Sequence, residues 1–300
     1  MKRLHNLYAF MFVLLLMACS TTRNLPEGEQ LYIGQKAMIL ENTPTSSVGE
    51  NALSEIEAAL ATAPNNSFMG SSSLRIPFPL GLWIYNGFEK YQDKKGVGRW
   101  IYDHFAADPV LMSEVNPGIR EKAGENILRE YGYFNGDVSY QTFADKKNPK
   151  KVKLQYSVDF RNPYVIDTLY FQGFTERTTN IMQRSLRRSL LRRGAQFNVL
   201  DLDQERTRIS NLLRNVGYYY FRPDYLTYQA DTTLVRGGHV ALRMVPVAGM
   251  SPIAEKPFFL DNDISFYLLG DNGEMPTDSM RYENLHIYYH KKLKVRPRML

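Results

Sequence analysis

Leu128-Arg129-Glu130-Tyr131-Gly132-Tyr133-Phe134 and Leu213-Arg214-Asn215-Val216-Gly217-Tyr218-Tyr219 are one phrase written twice, with Gly217 falling 85 residues after Gly132. Each copy ends a helical pattern and opens a strand pattern. The glycine stands where a helix C-terminus needs a left-handed residue. Aromatic residues, which favour strands, follow it at once. The spacing therefore predicts an internal repeat of one helix-to-sheet unit.

The flanks extend the match. Ile119, Ala123, Ile127 and Leu128 form a helical stripe before the first copy. Leu202, Ile209, Leu212, Leu213 and Val216 form one before the second, with Asp201 and Gln204 spaced as a capping box. After the first copy Val138, Tyr140 and Thr142 alternate with polar residues. Beyond the loop from Asp145 to Lys150, Val152, Leu154, Tyr156 and Val158 alternate strictly, as in a half-buried antiparallel strand. After the second copy a turn at Gly237-Gly238 leads to Val240, Leu242 and Met244. Upstream lie a strand from Tyr164 to Phe171 and a helix from Glu176 to Arg193, with the stripe Ile181, Leu186 and Leu190. The second unit thus reads strand-helix-helix-strand-strand over Pro163 to Val247. The first has a strand near Leu31 to Leu40, a helix near Gly49 to Ala61, a long insertion, the second helix and a hairpin ending near Asp159.

The start of the chain reads as an address. Lys2 and Arg3 precede an apolar run from Leu7 to Met17, a secretory signal too short to span a bilayer. Leu16-Met17-Ala18-Cys19 resembles a lipobox, in which Cys19 is acylated after cleavage. Cys19 is the only cysteine, so the chain has no internal disulfide. The bland alternative is a chance cysteine in an ordinary signal. Ser20, where an aspartate would mark inner-membrane retention, implies the outer membrane. No acidic cluster follows over Thr21 to Leu25, which leaves the body facing the periplasm.

Without the two basic residues of the first eighteen, 35 basic residues stand against 31 acidic ones, a net charge of +4. That mild excess does not suggest a nucleic-acid binder. No Gly-x-Ser-x-Gly elbow, phosphate loop or zinc spacing occurs. His286 and His290 have metal-ligand spacing for a helix, but Leu285 to His290 reads as a strand. Four residues there span about 13 Å, too far for one ion. The expectation is no enzyme, no metal and no cofactor.

The strand-helix-helix-strand-strand order is that of polypeptide-transport-associated (POTRA) domains. Gly81-Leu82-Trp83-Ile84-Tyr85-Asn86, Pro109-Val110-Leu111, Gly132-Tyr133-Phe134-Asn135, Glu205-Arg206-Thr207-Arg208-Ile209, Gly217-Tyr218-Tyr219-Tyr220-Phe221 and Lys294-Val295-Arg296-Pro297-Arg298 occur in an order that, with the lipobox, resembles one family. It is the translocation-and-assembly-module lipoproteins (TamL-type), a branch of the outer-membrane insertase (Omp85-like) superfamily. The resemblance implies an α+β fold of tandem POTRA-like modules ahead of a sixteen-stranded barrel. No barrel appears before Leu300, so the chain reads as truncated. The expected division is a lipoprotein signal at 1–18, a first module at 19–160 with an aromatic insertion at about 66–112, a second module at 161–250, and an incomplete third at 251–300. The third begins at Pro257-Phe258-Phe259-Leu260, an echo of Pro163-Tyr164-Val165-Ile166. It has no room for two helices before the strand Leu285 to Tyr289.

Three surfaces stand out. The stretch Tyr218 to Tyr228 reads as an edge strand, because Pro223 is tolerated at an edge but not centrally. Tyr218, Tyr220, Pro223, Tyr225, Leu226 and Tyr228 would there present backbone to an extended peptide; the alternative is a capped edge with no client. The insertion Leu74 to Phe105 carries Trp83, Tyr85, Phe88 and Trp100 with lysines among them, which suits a membrane interface or a protein partner, or an extra packing layer. The arginines 184, 187, 188, 192 and 193, Arg187 and Arg188 foremost, either contact head groups or a partner or line a solvated face. The resemblance implies three partners: the outer membrane through the lipid anchor, a long periplasmic lipid-bridge protein (TamB-like), and unfolded outer-membrane protein clients. A lipid-anchored adaptor without a barrel is the first rival and a periplasmic hydrolase the second.

Overall fold

A computed structural model of the chain describes residues 21–68, 71, 74, 76–233, 235–259 and 264–300. The expected signal at 1–18 and Cys19 lie outside the described residues. The fold is α+β, and no helix among the described residues is long and apolar enough to cross a membrane. The chain divides into two compact units. One holds Met1–Tyr170, Ser189–Glu205 and Tyr228–Arg243; the other holds Phe171–Arg188, Arg206–Thr227 and Met244–Leu300.

The first repeat begins with strands β1 (Leu31–Gln35) and β2 (Ile39–Glu41) and helix α1 (Ser47–Leu60). Ser46 caps α1 by accepting the Gly49 amide at 3.0 Å. The insertion holds α2 (Leu80–Phe88) and α3 (Val97–Phe105), followed by the short α4 (Met112–Val115). Helix α5 (Pro117–Glu130) starts on proline, whose missing N–H costs nothing there. It leads into β3 (Asp137–Ala144) and β4 (Lys151–Asp159).

Strand β4 is the spine of the sheet. It pairs antiparallel with β3 along its length, with Val138 opposite Val158 and Tyr140 opposite Tyr156. On its other side β1 and then β2 run parallel to it, one after the other. Val152, Leu154, Tyr156 and Val158 of β4 are all buried, as their alternation predicts. Ala52, Ile56 and Leu60 of α1 and Leu128 of α5 close over this face and exclude water from it. Ile56, Leu60 and Leu128 each contribute about 1.5–3 kcal/mol by this burial. Arg120 ties the helices together by donating to the carbonyls of Ala59, Ala61 and Val115. Ile119, expected inside, is 65% exposed, and the buried stripe of α5 runs through Gly124 and Leu128 instead. Gly124 takes the inward position because Val138 already presses there.

The second repeat has β5 (Val165–Phe171), α6 (Glu176–Arg184), α7 (Val199–Asn215), β6 (Leu226–Asp231) and β7 (His239–Pro246). Its sheet order is β5-β7-β6. The bonds from the Val165 amide to the Gly238 carbonyl and from the Gln172 amide to the Met244 carbonyl make β5 parallel to β7. The expected single helix to Arg193 stops at Arg184. Ser185 turns its hydroxyl onto the Met182 carbonyl at 2.7 Å, which competes with continued helix. Met182 within α6 and Leu191 beyond it are buried, and Leu190 is exposed. Helix α7 starts earlier than its expected capping box, since Asn198 accepts the Leu200 amide at 2.9 Å, the bond an N-cap makes. Its buried face is Leu202, Glu205, Ile209, Ser210 and Leu213, while Val216 is exposed.

Strands β8 (Ile264–Leu268), β9 (Asp278–Tyr282) and β10 (Leu285–Tyr289) follow in the order β8-β10-β9, with β8 parallel and β9 antiparallel to β10. With β1 and β2 taken together as one first strand, the order first strand, last strand, middle strand occurs in all three sheets. The third sheet lacks the helical layer, and Ile287 is its one fully buried apolar side chain among the described residues.

The two helix ends are superimposable in their bonding. Tyr133 N–H donates to the Leu128 carbonyl and Gly132 N–H to that of Arg129; Tyr218 donates to Leu213 and Gly217 to Arg214. This is the Schellman pattern, with Gly132 at φ +84° and Gly217 at φ +101°. Tyr133 and Tyr218 then turn inward and are buried, and each carbonyl accepts the amide three residues on, from Gly136 or Phe221. The glycine carbonyls also look outward alike. That of Gly132 accepts the Tyr164 amide at 2.8 Å, and that of Gly217 the Phe258 amide at 2.8 Å. Phe134 meets Tyr164 edge-on at 5.0 Å between ring centroids, and Tyr220 meets Phe258 at 5.3 Å. The Pro163-Tyr164 and Pro257-Phe258 echo is thus one junction made twice, once within each compact unit.

A Cβ at Gly132 would sit 2.7 Å from the Phe197 carbonyl oxygen, and one at Gly217 2.8 Å from that of Phe258. Gly249 has φ +85° and open space around it. Gly132→Ala and Gly217→Ala should each lower unfolding free energy by about 2 kcal/mol or more, and Gly249→Ala by only about 1 kcal/mol. Denaturant melts of the three variants check this ranking.

Burial pushes the Tyr156 phenol up to about 12, against a small opposing pull from Arg120. Its hydroxyl finds no hydrogen-bond partner among the described residues. A raised phenol favours the folded state while neutral, so this contribution is complete below pH 10 and lost between about pH 10 and 12. Tyr156→Phe should leave stability at pH 7 within about 1 kcal/mol and remove its share of the alkaline loss. Melts at pH 7 and pH 11 measure both.

Candidate functional site

The site is a set of surfaces. Among the described residues the middle strand of each sheet, β3, β6 or β9, pairs only with the last strand and forms an edge. The stretch expected to run as one edge strand from Tyr218 is not one. Residues 218–221 form a turn, Pro223–Tyr225 a single 3₁₀ turn, and β6 starts only at Leu226. The Schellman cap reverses the chain at Gly217, and Pro223, with its fixed φ, opens the 3₁₀ turn. Tyr218 is core, Tyr220 packs on Phe258, and Pro223 and Tyr225 precede the strand; Leu226 and Tyr228 lie on it.

The Tyr225 carbonyl accepts the Val247 amide at 2.9 Å, so antiparallel alternation turns Leu226, Tyr228 and Ala230 backbone groups away from β7. One of these, the Leu226 carbonyl, takes a bond from Arg206 Nη1 at 3.3 Å. The Leu226 side chain is wholly buried, while Ala230 is exposed. Strand β3 offers a second edge, with Asp137, Ser139, Tyr140, Gln141 and Thr142 exposed. Its alternating pattern was visible in the sequence; its place at the edge was not, because strand order is a tertiary fact.

The arginine cluster does not share one helix. Arg184 ends α6, Arg187 and Arg188 sit exposed on a 3₁₀ turn, and Arg193 pairs with Asp167 at 3.2 Å on an exposed face.

The insertion gathers its aromatic residues on one surface. Leu82 of α2 is buried, and Gly81 lets Ala107 approach, with the Ala107 amide bonded to the Gly81 carbonyl at 3.0 Å. Tyr85 faces Tyr102 at 6.0 Å, Phe88 faces Tyr91 at 5.8 Å, and Phe78 faces Trp83 at 5.4 Å. Burial, then the charges of nearby Glu89 and Asp108, raises the Tyr85 phenol, and burial raises that of Tyr102 too. Trp83, Tyr85 and Phe88 are therefore half-buried in ring pairs. Trp100 is 54% exposed and continues into Val97 and Phe105, which the sequence reading passed over. Val97 lies one helical turn before Trp100, which was an available signal; Phe105 is five residues on, a spacing that periodicity does not put on the same face, and only the structure brings its ring to Trp100.

No protein-family model matches the chain, and neither does any curated protein. Among solved structures, it is similar to the BamA of Haemophilus ducreyi lacking POTRA domains 1–3 (14% identity, TM-score 0.29), over 54% of this chain and 26% of that one. It is also similar to POTRA3–5 of Haemophilus influenzae BamA (13%, TM-score 0.28; 74% and 99% of the two chains). A third is POTRA1–2 of Omp85 from Anabaena (11%, TM-score 0.29; 73% and 97%). The chain spans about a quarter of the Haemophilus ducreyi chain.

Proposed function

We propose that this chain is the periplasmic part of an outer-membrane lipoprotein of the translocation-and-assembly-module kind, held by acyl groups on Cys19 and offering sheet edges to extended polypeptides. The modules would be 19–160 and 161–250, with a further segment at 251–300. The observation that carries this reading is the recurrence of one sheet order, with the middle strand at an edge each time. An edge strand binds an unfolded segment by its backbone and is indifferent to most of its sequence, which suits clients that will become barrel strands. The clients would be unfolded outer-membrane proteins, and the standing partner a TamB-like lipid-bridge protein. The same surfaces also suit a lipid-anchored adaptor that works without a barrel.

Ala230→Pro removes an outward N–H from β6 without disturbing the core. It should weaken capture of a peptide copying a barrel strand by about tenfold, with melting unchanged. Lys146→Pro, in the loop before β4, should do nothing. Fluorescence anisotropy with the labelled peptide measures both, and unchanged affinity in folded Ala230→Pro would remove β6 as the docking edge.

A further inference from the structure

We infer that the two-helix insertion is a second membrane contact, laid on an anionic phospholipid surface beside the lipid anchor; this rests on the reading of Cys19 as the lipidated residue. The first observation concerns the residues after that cysteine. Thr21 and Thr22 are buried. The Thr21 carbonyl accepts from Asn86 Nδ2 at 3.5 Å, and Thr22 Oγ1 from Asn148 Nδ2 at 2.9 Å. Asn24 donates its amide to Asn86 Oδ1 at 3.1 Å and its side-chain nitrogen to the Asn86 carbonyl at 3.3 Å. Asn86 belongs to α2 and is itself braced by the Leu82 carbonyl at 2.8 Å. Two residues of chain reach at most about 7 Å, so an acylated Cys19 holds α2 close to the head groups.

The second observation is what the insertion shows to solvent. Helix α3 has a finished inner side, with Gly98 against the Tyr91 ring and Tyr102 against Tyr85. Its outer side still carries large apolar groups among polar ones: Val97 is 75% exposed, Trp100 54% and Phe105 55%, Trp100 and Phe105 meet edge-on at 5.7 Å, and Arg99, Asp103 and His104 are exposed beside them. Phe78 and Leu80, at the start of α2, are exposed as well. Tryptophan among lysines is the composition of a bilayer interface, where the ring sits at the head groups and the amines reach phosphate.

The charges are arranged rather than in excess. Lys90, Lys94 and Lys95 face solvent together between α2 and α3, Arg99 is paired with Asp103 at 3.2 Å, and Glu89, Asp93 and Asp108 match the lysines in number. Apolar insertion therefore leads, and the lysine turn adds to it where it meets anionic lipid. A second copy of the chain would cover the same rings, but nothing would then require the patch to lie beside the anchor.

The test uses the chain from residue 19 onward as Cys19→Ser, which has no acyl group, with Trp83→Phe so that Trp100 reports alone. With vesicles of phosphatidylethanolamine and phosphatidylglycerol, Trp100 emission should shift to the blue and be quenched by brominated acyl chains. Trp100→Glu with Val97→Asp, read by co-sedimentation, should weaken binding at least tenfold at unchanged melting. An unshifted Trp100 spectrum, or a protein dimer that buries Trp100 and leaves vesicles untouched, overturns the inference. Labelling of the unaltered protein with palmitate separates the two readings. A labelled Cys19 with no vesicle binding refutes the insertion alone, and vesicle binding with no label refutes the anchor alone.

Discussion

Two glycine-terminated helix ends organise this chain. At Gly132 and Gly217 a left-handed residue closes the Schellman bonds, sends a tyrosine into the core and aims its own carbonyl at the amide of the next segment. The three consequences are coupled. If the glycine gained a side chain, its Cβ would strike a backbone oxygen, and the carbonyl would lose its aim. Helix packing, turn geometry and the join to the following segment thus depend on one φ angle at each site.

That dependence explains why the repeat could be read from sequence. A left-handed cap admits few residues, so Gly-Tyr with a preceding apolar stripe marks it plainly. Strict alternation marked β4 because one of its faces is covered by helices and the other is not. The turn after Gly217 was misread as strand, because four consecutive aromatics satisfy strand propensity whether or not the chain is extended. Tyr218 and Tyr220 are aromatic for core and junction packing instead. Helix α6 was overrun because the Arg-Leu pattern continues past Ser185, and a single hydroxyl bonded to a carbonyl is invisible to periodicity.

The surfaces were legible in composition and not in detail. The insertion announced itself by its rings and lysines, but which rings pair with each other and which face solvent is decided by packing. Gly81 and Gly98 set that division, by letting Ala107 and Tyr91 approach so closely that α2 and α3 spend their inner faces on one another and on the module. The edges likewise follow from sheet order, which puts β3 and β6 outermost.

Hydrogen exchange at four amides tests the central claim most directly. Tyr133 and Tyr218 donate to the helix-end carbonyls, and Tyr164 and Phe258 donate to the glycine carbonyls. All four should exchange only with opening of the surrounding core, at rates matching the slowest amides of α5 and α7. Exchange of Tyr164 and Phe258 at the rates of exposed loops would show that the junctions are not formed, and that the repeat is one of sequence without a shared structural role.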